Sequence, residues 1–151
     1  MKKYKNFFIK IFFFMLTMMM ATSVYGTNFI PRYTAPDISD YHYYSYNNPF
    51  YPKYGMPNCT CYAWGRAYEL LGDKPNLSTG NAGEWFEYNK RNGYYPYGST
   101  PKLGAIACWT GHVSVVENIN GNSIITSESN WSGRTNPEKA FQIKTYSPDM
   151  N

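Results

Sequence analysis

The amino-acid sequence predicts an α+β fold in which N-terminal helices pack on an antiparallel β-sheet. Apolar residues recur at helical spacing between residues 59 and 71, and a second helical signal begins at Asn81. From Gly104 onwards the apolar residues alternate instead, and Asn120-Gly121 is a strong hairpin signal. Helices followed by hairpin-connected strands are typical of the α+β class.

Each predicted helix has suitable residues at its ends. Asn58 is a plausible N-cap for the first helix, and Gly72 suits the left-handed position after its last turn. The second helix is predicted to start at Asn81, which forms a capping-box pattern with Glu84, and to end at Gly93. The predicted strands are residues 104–109, 112–117, 123–128 and 140–145.

The composition indicates one globular domain without a nucleic-acid partner. The chain has 151 residues, of which 43% are hydrophobic and 16% charged, which argues against disorder. Of the fourteen basic residues, four lie in residues 1–26, where there is no acidic residue, so ten of each sign remain. A neutral remainder gives no electrostatic reason to expect binding to nucleic acid or to an anionic membrane.

Residues 1–26 have the pattern of a signal peptide. A lysine-rich start precedes an apolar run at residues 11–21, and small residues precede Thr27. Because the run is shorter than a bilayer-spanning helix, we expect cleavage and no stable membrane insertion afterwards. The alternative is an uncleaved membrane anchor. The expected location is therefore secreted, either extracellular or associated with the cell wall.

Residues 27–50 are rich in tyrosine and proline. Such proline density disfavours both helix and central strand, so this segment is predicted to be an extended arm. The arm either packs on the domain through its tyrosine rings or lies along a substrate groove, and packing is the simpler interpretation.

The three cysteines and two histidines suggest a nucleophile and its base. Cys59 lies in the first helical turn, where free N–H groups and the helix dipole favour thiolate, whereas Cys61 points to nearly the opposite side. His112, at the start of a strand, is the predicted base, because His42 belongs to the tyrosine-rich arm. The backbone N–H of Cys59 is the natural oxyanion donor, with the Asn58 side chain as a further candidate.

A third polar group should orient the imidazole of His112. Glu128 and Asn130 are the candidates on the neighbouring strand. A strict two-residue loop at Asn120-Gly121 would turn both away from His112. We therefore predict either a three-residue loop or a β-bulge, which would bring both residues to the same face as the imidazole.

Four short runs, in this order, resemble the CHAP domain, the cysteine, histidine-dependent amidohydrolase/peptidase family. They are residues 58–66 (NCTCYAWGR), 104–109 (GAIACW), 111–117 (GHVSVVE) and 127–131 (SESNW). The resemblance implies a papain-like fold and a catalytic domain over residues 51–151, and leaves open whether a final strand is missing. It also implies cleavage of a peptidoglycan amide bond, by an N-acetylmuramoyl-L-alanine amidase or an endopeptidase. The implied nucleophile is Cys59 and the implied base is His112, with Glu128 and Asn130 as orienting partners.

Several alternatives remain open. Cys61 and Cys108 either form a disulfide or are simply buried thiols. Some relatives bind calcium through upstream aspartates, but this chain has no carboxylate pair there, so we expect no cofactor or metal. The rival functions are a catalytically silent wall-binding module and a structural zinc domain. The zinc ligands would be Cys59, Cys61, Cys108 and His112.

Overall fold

The computed structural model describes residues 29–147, and the predicted signal peptide lies outside the described residues. The chain divides into two compact units, residues 1–30 and residues 31–151. Of the first unit only residues 29 and 30 are described, and neither belongs to a helix or strand. Within residues 29–147, no helix has the length and apolar character that crossing a membrane requires.

The second unit has the predicted α+β architecture. Three α-helices come first, and the strands that follow form one antiparallel sheet in the order β1-β2-β3-β4. The helices are α1 (Tyr51–Tyr54), α2 (Cys59–Leu71) and α3 (Trp85–Asn92). The strands are β1 (Ile106–Cys108), β2 (Val113–Asn120), β3 (Ser123–Glu128) and β4 (Gln142–Tyr146). Short 3-10 helices occupy Ala82–Glu84, Trp131–Arg134 and Pro137–Lys139.

Helix α2 begins and ends where the sequence predicts. The side-chain oxygen of Asn58 accepts a hydrogen bond from the backbone N–H of Cys61 at 3.0 Å. At the other end Gly72 takes the left-handed conformation with φ of 70°. Because the N-cap and the left-handed glycine both act on neighbouring backbone groups, the local sequence is sufficient to predict them.

The start of α3 differs from the prediction, although its end at Gly93 is confirmed. The chain enters through the 3-10 turn Ala82–Glu84, and the Asn81 side chain makes no capping bond there. The carboxylate of Glu84 lies against Gly80 instead of reaching back to Asn81. The predicted capping box is therefore wrong, since the tighter turn changes where the two side chains point.

The hydrophobic core lies between α2 and the sheet. Tyr62 and Trp64 of α2 are buried with Val113 and Val115 of β2, and Trp85 of α3 joins the same cluster. Val113 and Val115 are two residues apart and therefore lie on one face of β2. This packing fixes the first turn of α2 beside the first residues of β2, where Cys59 and His112 lie.

A β-bulge interrupts the pairing of β2 with β3. Val116 pairs with Thr126 and Asn118 pairs with Ile125, so Glu117 is an extra residue on β2. Of the two predicted alternatives, a three-residue loop or a β-bulge, the structure has the bulge. The loop itself has two residues, Gly121 and Asn122, because Asn120 pairs with Ser123, and so it begins one residue later than expected. Gly121, with φ of 58°, provides the positive φ at the first loop position.

The bulged residue Glu117 is held by a buried ion pair. The residue is 1% exposed, and Arg66 of α2 donates to its side chain twice, Nε to Oε1 at 3.0 Å and Nη2 to Oε2 at 2.9 Å. The Ser127 hydroxyl also donates to Oε1, at 2.6 Å. Because these bonds hold the extra residue inside the protein, they fix the bulge and the strand register beyond it.

Residues 37–50 of the arm are folded into turns rather than extended, which corrects the prediction for that part. Asp37 and Asp40 each accept a hydrogen bond from the backbone N–H two residues later, a geometry that produces tight turns. Tyr43 is fully buried, its ring lies 5.5 Å from that of Tyr62, and its hydroxyl donates to Glu69 at 2.6 Å. The arm therefore packs on the domain through a tyrosine.

Candidate active site

Cys59 is the first residue of α2 and is partly exposed. The imidazole of His112 and the backbone N–H groups of Val113 and Thr60 lie near its sulfur and favour the thiolate. Burial disfavours the thiolate, but the influence of these groups, that of His112 above all, outweighs it, so the pKa of the Cys59 thiol is lowered. Lowered thiol pKa and partial exposure are the properties of a reactive cysteine.

His112 precedes β2 in a short connection from β1. The backbone N–H of Trp109 donates to the carbonyl of His112 at 2.9 Å, and their ring centroids lie 5.9 Å apart. Gly83, before α3, packs so closely that a Cβ there would clash with the carbonyl oxygen of Thr110. The connection carrying the imidazole is thus held by a backbone bond on one side and by helix packing on the other.

Glu128 ends β3 and is fully buried. Its Oε2 lies 3.0 Å from Nε2 of His112 and accepts the Tyr146 hydroxyl, also at 3.0 Å. Its Oε1 forms an ion pair with Nζ of Lys144 at 2.5 Å. Burial opposes ionisation, yet the bonds with His112 and Lys144 lower the pKa of Glu128 to about 2.

The imidazole of His112 links the thiol to the carboxylate. Burial disfavours its charged form, but the hydrogen bonds and negative charges of Cys59 and Glu128 raise the pKa of His112 to about 9. With Nε2 engaged by Glu128, Nδ1 is the nitrogen that remains for the sulfur. The raised pKa keeps the imidazole protonated at neutral pH beside the ionised Glu128, and the protonated ring in turn favours the thiolate form of Cys59.

The other two candidates of this site are placed differently. The side-chain nitrogen of Asn130 donates to Gln142 Oε1 at 2.6 Å, so Glu128 rather than Asn130 contacts His112. The Asn58 oxygen is occupied by the cap of α2 and also accepts the Thr60 hydroxyl at 2.7 Å. Because an amide oxygen only accepts, the side-chain nitrogen is the atom by which Asn58 would donate to an oxyanion.

The remaining cysteines do not form a metal centre or a disulfide. All three cysteines are free thiols. Burial raises the pKa of Cys61 to about 12 and that of Cys108 to about 11. Among residues 29–147 no group of three or more His, Cys, Asp or Glu side chains is arranged to hold a metal ion. The zinc alternative, which needs Cys59, Cys61, Cys108 and His112 together, is therefore wrong for the part of the chain described.

Three residues of the site were not predicted from the sequence. The Trp109 ring lies near those of both His112 and Tyr146 and is tilted relative to each, with centroids 4.7 Å apart in the second pair. Lys144 and Tyr146 reach Glu128 from β4. The sequence gives little indication of Lys144 and Tyr146, because the alternation of β4 shows that these two residues share a face but not which strand pairs with β4.

Comparison with known proteins gives one family and one curated relative. A family model described as the CHAP domain matches residues 46–130, more than half of the chain. Over 85 residues the chain is 40% identical to a protein of Staphylococcus aureus (strain NCTC 8325 / PS 47) named "Probable autolysin LDP". That match covers 53% of this chain and 30% of the relative. The matched segment includes Cys59, His112 and Glu128, whereas Lys144 and Tyr146 lie beyond the family match.

Proposed function

Because this chain belongs to the CHAP domain family, we propose that it is a peptidoglycan hydrolase that cleaves an amide bond with Cys59 as the nucleophile. The observation that carries the proposal is the contact of one imidazole with both Cys59 and Glu128. The similarity to a protein named as a probable autolysin supports bacterial cell wall as the substrate class.

The proposed reaction is acyl transfer in two steps. The Cys59 thiolate attacks the amide carbonyl carbon, the C–N bond breaks, and His112 gives its proton to the departing amine. Water then attacks the thioester while neutral His112 takes its proton. The C–S bond breaks, the product leaves as a carboxylic acid that loses its remaining proton to solvent, and the thiolate–imidazolium pair is restored. Throughout, Glu128 keeps the imidazole in the orientation that serves both transfers.

The oxyanion of each tetrahedral intermediate needs N–H donors. We assign the backbone N–H of Cys59, which lies in the first turn of α2 where N–H groups have no intrahelical partner. The side-chain nitrogen of Asn58 is the proposed second donor. The helix dipole adds a favourable potential for both the thiolate and the oxyanion.

The site of action is proposed to be the cell wall. The pattern of residues 1–26 supports export, and the exported chain would begin at Thr27. The two bonds that fit the chemistry are the amide between muramic acid and L-Ala and a peptide bond of the stem or cross-bridge.

Mass spectrometry of muropeptides tests this function. Purified peptidoglycan is digested with wild-type protein, Cys59→Ser and His112→Ala, with Cys108→Ser as the thiol control. Fragments with a new N-terminal L-Ala identify an amidase, and cuts inside the peptide identify an endopeptidase. We expect no products from Cys59→Ser and wild-type products from Cys108→Ser. Wall binding by the wild-type protein without any release of products would instead identify a silent binding module.

A further inference from the structure

The last strand brings two polar side chains to the buried carboxylate of Glu128. Lys144 and Tyr146 are two residues apart on β4, so both lie on one face of the sheet. Lys144 Nζ lies 2.5 Å from Glu128 Oε1, and the Tyr146 hydroxyl donates to Oε2 at 3.0 Å. Oε1 thus has the ammonium of Lys144 as an ion-pair partner without a hydrogen bond, while Oε2 has both Tyr146 and His112.

We propose that Lys144 and Tyr146 are positioning residues that act on His112 through Glu128. They hold the carboxylate ionised and correctly turned, and they limit how tightly it holds the imidazolium proton. The inference rests on the proposed function, because it concerns the same catalytic unit. Nothing in the family match covers these two residues, which lie beyond residue 130.

The need for such residues follows from burial. Glu128 is fully buried, and an ionised carboxylate without compensating partners is costly in a protein interior. His112 supplies compensation only while it is protonated, yet it must lose its proton to the leaving amine. Lys144 remains beside Oε1 at that moment, so Glu128 stays ionised when the imidazole becomes neutral.

The groups that face this carboxylate come from two parts of the fold, and one of them leads on to a third. His112 lies before β2 and carries the link to Cys59 of α2, while Lys144 and Tyr146 belong to β4. The Trp109 ring packs against Tyr146 and so restricts the position of its hydroxyl. The charge balance at the imidazole is therefore set by one thiolate, one carboxylate and the ammonium of Lys144.

The sign of the effect follows from this balance. Removing the ammonium makes the potential at His112 more negative, so the imidazolium keeps its proton to higher pH. Removing the Tyr146 hydroxyl frees Oε2 from a competing donor, which strengthens its bond to Nε2 and shifts the same pKa upward by a smaller amount. A purely structural role for either residue would leave the pKa of His112 unchanged in the folded protein.

Nitrogen-15 NMR of histidine-labelled protein measures this directly, because the chain has two histidines and His42 serves as an internal reference. Wild-type protein, Lys144→Met, Lys144→Arg and Tyr146→Phe are titrated, with Lys90→Met as the control for an exposed lysine. We expect the His112 midpoint, near 9 in wild type, to rise by about one pH unit in Lys144→Met. It should rise less in Tyr146→Phe and stay unchanged in Lys144→Arg and Lys90→Met.

Wall hydrolysis by the same variants separates this inference from the proposed function. We expect kcat to fall about tenfold in Lys144→Met with little change in KM, because the imidazolium gives its proton to the leaving amine less readily. An unchanged His112 midpoint in folded Lys144→Met and Tyr146→Phe overturns the inference even if hydrolysis falls. If the midpoints shift as expected but the wild-type protein hydrolyses no cell wall, the positioning role is supported and the proposed function is overturned. If Lys144→Met does not fold, Tyr146→Phe, which removes one oxygen, decides the question.

Discussion

The Nε2 atom of His112 lies 3.0 Å from Oε2 of Glu128, and this carboxylate is fully buried. A buried carboxylate at this distance fixes which ring nitrogen faces the thiol of Cys59 and stabilises the protonated ring. The first prediction concerns the loss of that negative charge.

Replacing Glu128 with Gln should lower hydrolysis about a hundredfold or more, because the amide stabilises the imidazolium poorly and permits the wrong tautomer. The pKa of His112, raised to about 9 partly by this carboxylate, should fall toward its usual value. The alkaline limb of the kcat/KM profile should therefore move to lower pH. Asn130→Ala is the matched control, because the Asn130 amide contacts Gln142, and it should change the rate no more than about threefold.

The pH dependence of the wild-type protein is the second prediction. Activity requires the thiolate together with the protonated imidazole. Since the pKa of Cys59 is lowered and that of His112 is raised to about 9, activity should be high at neutral pH and fall as pH rises through 9. Initial rates of wall hydrolysis at constant ionic strength provide the measurement. A rate that keeps rising above pH 10 would contradict an imidazolium acid.

The third prediction concerns the buried pair of Arg66 and Glu117. Arg66→Met leaves the Glu117 carboxylate buried without its cation and should reduce the free energy of unfolding by about 3–5 kcal/mol. Urea unfolding followed by tryptophan fluorescence measures the loss. Lys90→Met, which removes an exposed pair 3.9 Å long, should cost no more than about 0.5 kcal/mol. Equal losses in the two variants would refute a stabilising role for the buried pair.

The fourth prediction concerns the contact between Gly83 and Thr110. In Gly83→Ala the new methyl group meets the Thr110 carbonyl oxygen, so the connection that carries His112 must shift. We expect a loss of about 1–3 kcal/mol in stability and a lower rate of hydrolysis. Gly98→Ala, where a Cβ would meet nothing within 4 Å, should leave the rate unchanged. A Gly83→Ala protein as stable and as active as wild type would contradict the close packing.

Local signals predicted much of the scaffold. The Asn58 cap and the glycines at positions 72 and 93 act within one helical turn, so the sequence around them is sufficient. The bulge was predictable because a one-residue shift of register turns every side chain to the other face, and His112 needs a partner on its own face. The location of the bulge at Glu117 was not predictable, because that location depends on the ion pair with Arg66, which is distant in sequence.

Long-range contacts account for the site residues that the sequence did not predict, and unrecognised local turns account for the other differences. Lys144 and Tyr146 contact Glu128 because β4 pairs with β3, and strand order is not encoded in a local pattern. The turns of the arm depend on aspartate side chains at positions 37 and 40, whereas the prediction of an extended arm considered only the density of proline. The Asn81 capping box failed because a 3-10 turn forms where a regular helical start was expected.

The central claim is that one sulfur, that of Cys59, performs the reaction. The test is limited iodoacetamide labelling at neutral pH. Peptide mass spectrometry gives the label occupancy at each cysteine, and the remaining peptidoglycan hydrolysis is measured on the same samples. Since the pKa of Cys59 is lowered and those of Cys61 and Cys108 are raised, the label should enter Cys59 first. Hydrolysis should fall in proportion to occupancy at Cys59 and vanish at one label per molecule. Full occupancy of Cys59 with hydrolysis retained would contradict the claim.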